Sequence, residues 1–571
     1  MKSSLFIKFI LLFYLISKTL SIIEYQDTKD PQQEFRGVWV SPAGGDRELI
    51  TYISEEQFKQ NMTYILDTLK FYKINSLIYH VRLSNKAFYP SELNPVSDYF
   101  NNVNFTEFDP VKWMIDETHK RGIDFHAWMN PYVIIRSTLK ELDDILKEYQ
   151  NYTKNPASDK DCILKCVNFY ILNPGLERVR TFIVDTIMEF LNKYNVEAIH
   201  FDDFFYDDMG AYSSKDKNFT ILNESDQITY ENYIDSHPEC KYDKNKVSDK
   251  ADWRREQVDT LIFSIKQKIN EYNKKNKKYV QFGISPSGVY KSGDGNVEYD
   301  ENMNAITNGS NTTTTFEHYS SYLFADTVKW CNEGWLDYLL PQSYWATNHP
   351  TAGFYNIMVW WDKVLKYKKV NLYSGLGLYM SDEDGNTYNW KTDYNEFYNQ
   401  LKYVTDSEIT LGASIYNFAT LRNYKDGKKE MISYNQIENA IKLWSNILPP
   451  SEIKSFEKIE LEHPTNITVE KNYILKFDKV ENAKFYVIYK SKEKIKFIPD
   501  QIVDIIGNPE NTERIEWKDI NKDEKSYKYD VRALSYSNTL GKYPVIPPDV
   551  DISRINIVSL ITLFSLLILL I

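Results

Sequence analysis

The segment VEAIHFDDFFYDD, from Val196 to Asp208, begins as an apolar strand and ends in four aspartates set among aromatic residues. Adjacent carboxylates where a buried strand reaches the surface suit acid–base chemistry. Glycosidic hydrolysis uses one carboxylic acid to protonate the leaving oxygen and a second carboxylate to attack the sugar or activate water. The bland alternative is a capping turn or a solvated acidic loop. Successive strand residues point to opposite faces. If Asp202 shares the face of Ala198 and His200, Asp203 faces away unless the strand ends between them. Asp202 is therefore read as nucleophile or base, and Asp203 as the acid on a turned backbone or as a group orienting its neighbours. The loop carboxylates Asp207, Asp208, Asp294, Glu298, Asp382 and Glu383 compete for the acid's place.

From about Glu34 to Leu448 short apolar strands alternate with helical stretches. The strands read as FRGVWV (35–40), INSLIYHVR (74–82), IDFHAWMNPY (123–132), VEAIHFDDF (196–204), YVQFGISPSG (279–288), LDYLLPQSYW (336–345), NLYSGLGLYM (371–380) and LGASIYNF (411–418). Helices such as GLERVRTFIVDTIMEFLNKYN lie between them, this one opened by Asn173-Pro174-Gly175. Such alternation signals an α/β chain with a parallel sheet covered on both faces, and eight units point to a (β/α)8 TIM barrel.

Barrel chemistry sits at the carboxyl ends of the strands. Those ends carry His80 and Arg82; His126, Trp128, Asn130 and Tyr132; His200, Asp202 and Asp203; Ser285 and Ser287; Gln342, Tyr344 and Trp345; Tyr379; and Asn417. Asp202 and Asp203 are the candidate catalytic pair. His80, Arg82, His126, Asn130, His200, Gln342 and Tyr344 are candidates to hold a sugar, with Trp128 and Trp345 stacking on it. Some of these polar ends are expected to form buried networks instead. A metal is not expected, because His126 with Asp202 lacks further ligands at defined spacing, and no cofactor is expected. GISPSG (283–288) departs from the Gly-x-Ser-x-Gly nucleophile elbow, since Ser285 is followed by Pro286.

After Pro449-Pro450 the pattern changes to alternating strands, among them NYILKFDKV, AKFYVIYKS and KYDVRALS, which predicts a small all-β sandwich over 452–545. KFDKVENAKFYVIYKS (476–491) resembles part of a fibronectin type III module. Residues 1–21 read as a secretory signal and 555–571 as a lipid-anchor signal or membrane anchor. Sequons at Asn61, Asn104, Asn151, Asn218, Asn223, Asn308, Asn311 and Asn466 fit a secreted or surface-held glycoprotein. One disulfide among Cys162, Cys166 and Cys240 is expected, with Cys331 a packed thiol. The net charge of −12, with no basic stretch, argues against a nucleic-acid partner. A monomer acting on a polysaccharide is the expectation.

FRGVWVSP, LSNKAFYPSELNPVSDYF, HKRGIDFHAWMNPY, LNPGLERVR, IHFDDFFY, DWRREQVD, FGISPSGVY and EGWLDYLLPQSYW together resemble the glycosyl hydrolase-like 10 proteins, over roughly Glu34 to Leu421. The resemblance implies a TIM-barrel glycosidase distantly similar to the α-amylase group, with bacterial members associated with cell-wall glycan strands. His200-x-Asp202 looks similar to the amylase-like pattern in which the nucleophilic Asp follows a basic residue by two. The glutamate expected at the end of the fifth strand is replaced by serines, which leaves the acid unassigned. The expected function is hydrolysis of an N-acetylated, peptidoglycan-like polysaccharide; the alternative is a non-catalytic glycan-binding or adhesion protein on a retained barrel.

Overall fold

The computed structural model describes residues 33–544, apart from 138, 321, 387, 471–472, 510–511 and 521–526. The expected leader (1–21) and apolar tail (555–571) lie outside the described residues. Among those described, no helix is long and apolar enough to cross a membrane.

Eight strands form one closed parallel barrel: β1 (Phe35–Val40), β2 (Ser76–Leu83), β3 (Asp124–Met129), β4 (Ala198–Phe201), β5 (Gln281–Ile284), β6 (Tyr338–Leu339), β7 (Asn371–Leu376) and β8 (Thr410–Ile415). Each pairs with its neighbours in chain order, and β1 pairs with both β8 and β2, which closes the ring. Helices cover the outside. In α1 (Glu55–Phe71) the Ser54 side chain caps the start, and Phe58, Met62, Ile65, Leu66 and Leu69 are buried at helical spacing. Similar helices follow β2 and β3, α2 (Pro110–Lys120) and α3 (Glu177–Lys193), and α4 (Val247–Asn276) precedes β5. The ladders of β5 and β6 are much shorter than the runs 279–288 and 336–345 read from sequence. Pro286 and Pro341 lack the N–H a ladder needs, so the continuous ladders stop before them and pairing goes on only as isolated bridges, Ser287 with Gln342 and Gln342 with Gly375.

The lumen is packed. Phe35, Trp39, Ile78, Trp128, Ala198, Tyr338, Leu340 and Tyr373 form one buried cluster inside the ring. Gly283 makes room for it: a Cβ at this position would lie 1.9 Å from Tyr338 Cζ.

The C-terminal region folds as two three-stranded antiparallel sheets. β9 (Thr468–Glu470), β10 (Ile474–Asp478) and β13 (Arg514–Lys518) make one, and β11 (Ala483–Ser491), β12 (Ile502–Gly507) and β14 (Lys528–Ser535) the other. Along β11, Tyr486 and Ile488 pack into the cluster with Leu475, Phe477 and Ile515. The alternate residues Phe485, Val487 and Tyr489 are also buried, in a second cluster with Ile505 and Leu534. Phe485 of that second face lies beside His119 of α2, with ring centroids 6.3 Å apart.

This region and its linker cover the amino-terminal mouth of the barrel. Lys484 Nζ donates to Asp124 Oδ1 (2.7 Å) at the start of β3, and Ser455 donates to Asp337 Oδ1 (2.6 Å) just before β6. Asn75 donates to the Leu448 carbonyl (3.0 Å), and Asn371 to that of Glu452 (2.7 Å). The carboxyl-terminal mouth is thereby the one left for chemistry.

All four cysteines are free thiols, so the expected disulfide is absent. Cys162 and Cys166 bracket the strand Ile163–Lys165. Four residues of extended chain span about 13 Å, beyond the roughly 7 Å limit between Cα atoms for a bridge. Seven sequon asparagines are exposed, whereas Asn61 is half-buried with its amide donating to the Leu49 carbonyl (3.0 Å).

Candidate active site

β4 delivers the paired aspartates. Ala198 and His200 face the lumen, the strand stops at Phe201, and the backbone turns, with Phe205 N–H bonding the Asp203 carbonyl (3.0 Å). That turn is the condition under which both carboxylates reach one mouth. Asp202 Oδ2 accepts from Trp128 Nε1 (3.0 Å) and from Asn130 Nδ2, and Oδ1 accepts from Phe204 N (3.3 Å). Asp203 Oδ1 instead accepts from Gln342 Nε2 (3.1 Å), which also donates to the Ser285 carbonyl (3.1 Å). One carboxylate is thus tethered to the β3 flank and the other to the β6 flank.

Burial raises both carboxyls, and the charge of Asp203 adds to the effect on Asp202, pushing it up to about 7. Two like charges this close disfavour joint ionisation, so near neutrality the pair holds one proton between them. Donors on each carboxyl, three to Asp202 and Gln342 to Asp203, favour the ionised forms and oppose the rise from burial.

The remaining rim is largely aromatic. His80 stacks on Trp128 with ring centroids 3.8 Å apart and an interplanar angle of 15°. Its Nδ1 lies 2.8 Å from Ser41 Oγ, while its buried Nε2 has no hydrogen-bond partner among the described residues. Across the mouth Tyr344 stacks on Tyr416 (5.6 Å) and Tyr379 meets Tyr416 edge-on (5.5 Å). The serine hydroxyls of Ser285 and Ser287 are buried and unpartnered. Orphaned polar atoms beside a carboxylate pair are what a hydroxyl-rich ligand would satisfy.

Three residues expected to hold sugar are placed elsewhere. His126 and His200 lie fully buried one layer or more below the mouth, both Nδ1 atoms 2.9 Å from Tyr338 Oη. Burial holds both imidazoles neutral. His200 Nε2 accepts from Trp39 Nε1 (3.3 Å), so the His200 proton sits on Nδ1 and points at Tyr338, whose hydroxyl donates to His126. Alternation puts these histidines in the lumen, but it does not reveal depth. Tyr338→Phe should cost about 1–3 kcal/mol by orphaning the His200 donor and the His126 acceptor; chemical denaturation would measure it.

Arg82 is the third. A bulge between His80 and Arg82 breaks the period, so Arg82 pairs with Met129 and lies buried outside the ring, 5.8 Å from the Phe182 ring of α3. It donates to Asn94 Oδ1 (3.0 Å), to Asn85 and to the Asn130 carbonyl. Arg82 therefore fixes the backbone of Asn130, which in turn holds Asp202. Trp345 makes its ring contact with His349 (6.4 Å) rather than with the tyrosine group.

Of the competing acids, Asp208 caps its own turn by accepting from Gly210 N (2.8 Å), and Asp382 accepts from Ser433 N (3.0 Å). Asp294, Glu298 and Glu383 are exposed. Asp207 differs: burial pushes its carboxyl up to about 6, and its Oδ2 is buried without a partner. Among the described residues no group of three or more His, Cys, Asp or Glu could hold a metal ion.

Sequence reading missed Arg136, Ser41 and Tyr416. Arg136 lies on a bend just after Val133–Ile135, a strand of a small sheet that follows β3, and its guanidinium sits 4.1 Å from the Phe204 ring centre. The signal available was an arginine ending the apolar run that leaves β3.

The profile of the glycosyl hydrolase-like 10 family matches residues 34–391, which span β1 to beyond β7. The chain belongs to this family. The family implies a carbohydrate substrate, in keeping with a carboxylate pair at the carboxyl-terminal mouth. Among curated relatives, glycosyl hydrolase YngK of Bacillus subtilis (strain 168) is 29% identical over 489 residues, covering 83% of this chain and 86% of YngK. Glycosyl hydrolase DigH of Escherichia coli (strain K12) is 29% identical over 374 residues, covering 62% of this chain and 76% of DigH. A looser likeness is the β-amylase catalytic domain from Paenibacillus polymyxa, 11% identical with a TM-score of 0.42, covering 72% of this chain and all of that one (100%). The fourth-strand aspartates and their tethers all fall inside the family match.

Proposed function

We propose that this chain is a glycoside hydrolase that cleaves a polysaccharide in the carboxyl-terminal mouth of its barrel. Asp202 acts as nucleophile or base, and Asp203 as the general acid. The observation that carries the reading is the carboxylate pair at the end of β4, Asp202 buried and Asp203 half-buried, each member held by different donors. Tethering to opposite flanks separates the two roles, and the shared proton supplies the acid. The half-buried Tyr344 and Tyr416 offer apolar surface for sugar rings. We take the substrate to be an N-acetylated glycan of the cell-wall type. We place the protein in the secretory pathway, on the strength of its sequons. The serines at the end of β5, where amylase-like enzymes carry their acid, favour one rival reading: a barrel that binds glycan without cutting it.

The test is incubation of the protein with peptide-free peptidoglycan strands, chitin oligomers and α-glucans, with products identified by mass spectrometry. Cleavage of the N-acetylated strands supports the proposal. Binding without cleavage supports the rival.

The pH profile follows from the pair. The singly protonated form is lost as pH rises through the upper pKa of about 7. Activity is therefore expected to be highest below that value and to fall toward tenfold per unit above it. A rate that keeps climbing from pH 7 to 9 would remove the protonated pair from the mechanism.

A further inference from the structure

Among the described residues, the mouth holds several carboxylates and an arginine, Arg136, that pairs with none of them. Arg136 is exposed, and its guanidinium carbon lies 4.1 Å from the centre of the Phe204 ring, one residue after Asp203. It lies 5.9 Å from the Phe169 ring, which meets Phe204 edge-on at 5.9 Å. Among the described residues no carboxylate is within ion-pair distance of Arg136, although Asp202, Asp203 and Asp207 all feel its charge. Stacking on an aromatic face fixes the plane of a guanidinium and leaves its in-plane N–H edges free. Those edges match a carboxylate bidentately. A stacked, oriented and unpaired arginine beside a cleft is arranged for an anion supplied by the ligand.

We propose that Arg136 is a specificity residue that receives a carboxylate carried by the sugar next to the scissile bond, so that the site selects acidic over neutral glycans. This rests on the reading of the mouth as a glycan-cleaving site and adds the chemistry of the substrate's substituent. The anion also makes sense of the location. A substrate carboxylate entering a mouth lined by Asp202, Asp203, Asp207 and Asp208 is repelled unless a fixed cation offsets that field, and Arg136 is placed to do so. The selectivity resides in a fork of donors rather than in charge alone, so lysine should not substitute fully.

The test compares wild type, Arg136→Gln and Arg136→Lys on peptide-free peptidoglycan strands and on the same strands after reduction of their carboxylates to primary alcohols. Each protein is assayed at its own pH optimum, because the Arg136 charge also acts on the aspartate pair. The expected result is a loss of kcat/KM in Arg136→Gln of about tenfold to a hundredfold on the carboxylated strands, seen mainly in KM. The loss should be under about threefold on the reduced strands, with Arg136→Lys in between. Equal losses on both strands would overturn the proposal, because Arg136 would then act on the aspartates or on the fold. If neither strand is cleaved, the hydrolase reading fails and binding decides the inference separately. Titration calorimetry of wild type should then show a preference for carboxylated over reduced strands that Arg136→Gln lacks. Equal affinity, or no binding of either, overturns it.

Discussion

Asp202→Asn is expected to lower kcat/KM by about 10⁴-fold, the scale seen when a central charged group of a catalytic unit is removed. The substitution preserves shape: with the amide oxygen in the Oδ2 position Trp128 and Asn130 keep their acceptor, and only the long Phe204 N–H bond (3.3 Å) is given up to the amide nitrogen. What disappears is the charge that attacks the sugar or activates water. Stability should not suffer. Burial and the charge of Asp203 both disfavour the ionised Asp202, and a neutral amide relieves both. An unfolding midpoint equal to or above that of wild type, together with the activity loss, would separate a chemical role from a structural one. The single carboxyl left in the variant is free of the like-charge repulsion that sets the upper pKa of the pair. The residual activity should then fade at a lower pH than in wild type. Retention of more than a tenth of the activity would remove Asp202 from the chemistry.

Lys484→Met is expected to destabilise the protein by about 3–5 kcal/mol, as removal of one partner from a buried ion pair does. Lys484 reaches from β11 into the amino-terminal mouth, where its ammonium bonds Asp124 (2.7 Å) and Asn538 Oδ1 (2.5 Å) with both side chains of the pair nearly inaccessible. Methionine fills the volume but leaves the carboxylate buried and uncompensated. Burial already pushes Asp124 up to about 6 despite the lysine, and without it the folded-state value rises further. A carboxyl whose folded pKa exceeds its unfolded value binds more protons in the native state, so stability falls as pH rises through the folded pKa. The variant should therefore be least impaired near pH 5 and most impaired near pH 8. Denaturant unfolding at the two pH values measures this, and a pH-independent loss would show that packing, not charge, is at issue. Because Lys484 lies at the opposite mouth from Asp202, the folded fraction should retain wild-type turnover.

The pairing of these two sites shows how the architecture divides its labour. The amino-terminal rim is closed by the C-terminal sheets and by linker residues that satisfy Asn75, Asp124, Asp337 and Asn371. The carboxyl-terminal rim keeps polar atoms unsatisfied at His80, Ser285, Ser287 and Asp207. Linker and sheet contacts thus gather at one mouth and the candidate chemistry at the other, as barrel enzymes generally arrange it.

The order of strands and helices, and thus the closed eight-stranded barrel, was legible in the chain. Period-2 and helical patterns are local, and eight apolar strands joined by amphipathic helices have few ways to bury both faces. The place of Asp202 and Asp203 at the end of β4 was legible for the same reason: a charged pair at the end of an apolar strand stands out. Local pattern could not report depth along the lumen. His126 and His200 share a face with the mouth residues, yet they lie beneath it, bonded to Tyr338. Nor could it report broken periodicity, since the bulge that turns Arg82 outward depends on the register of β2 against β3. Arg136 was invisible as a site residue because its place is set by an excursion of the chain after β3 that brings it over Phe204. The residue types and the fold are written in nearest-neighbour pattern. Which of those residues meet at the mouth depends on register, bulges and long-range packing, and only the folded chain decides these.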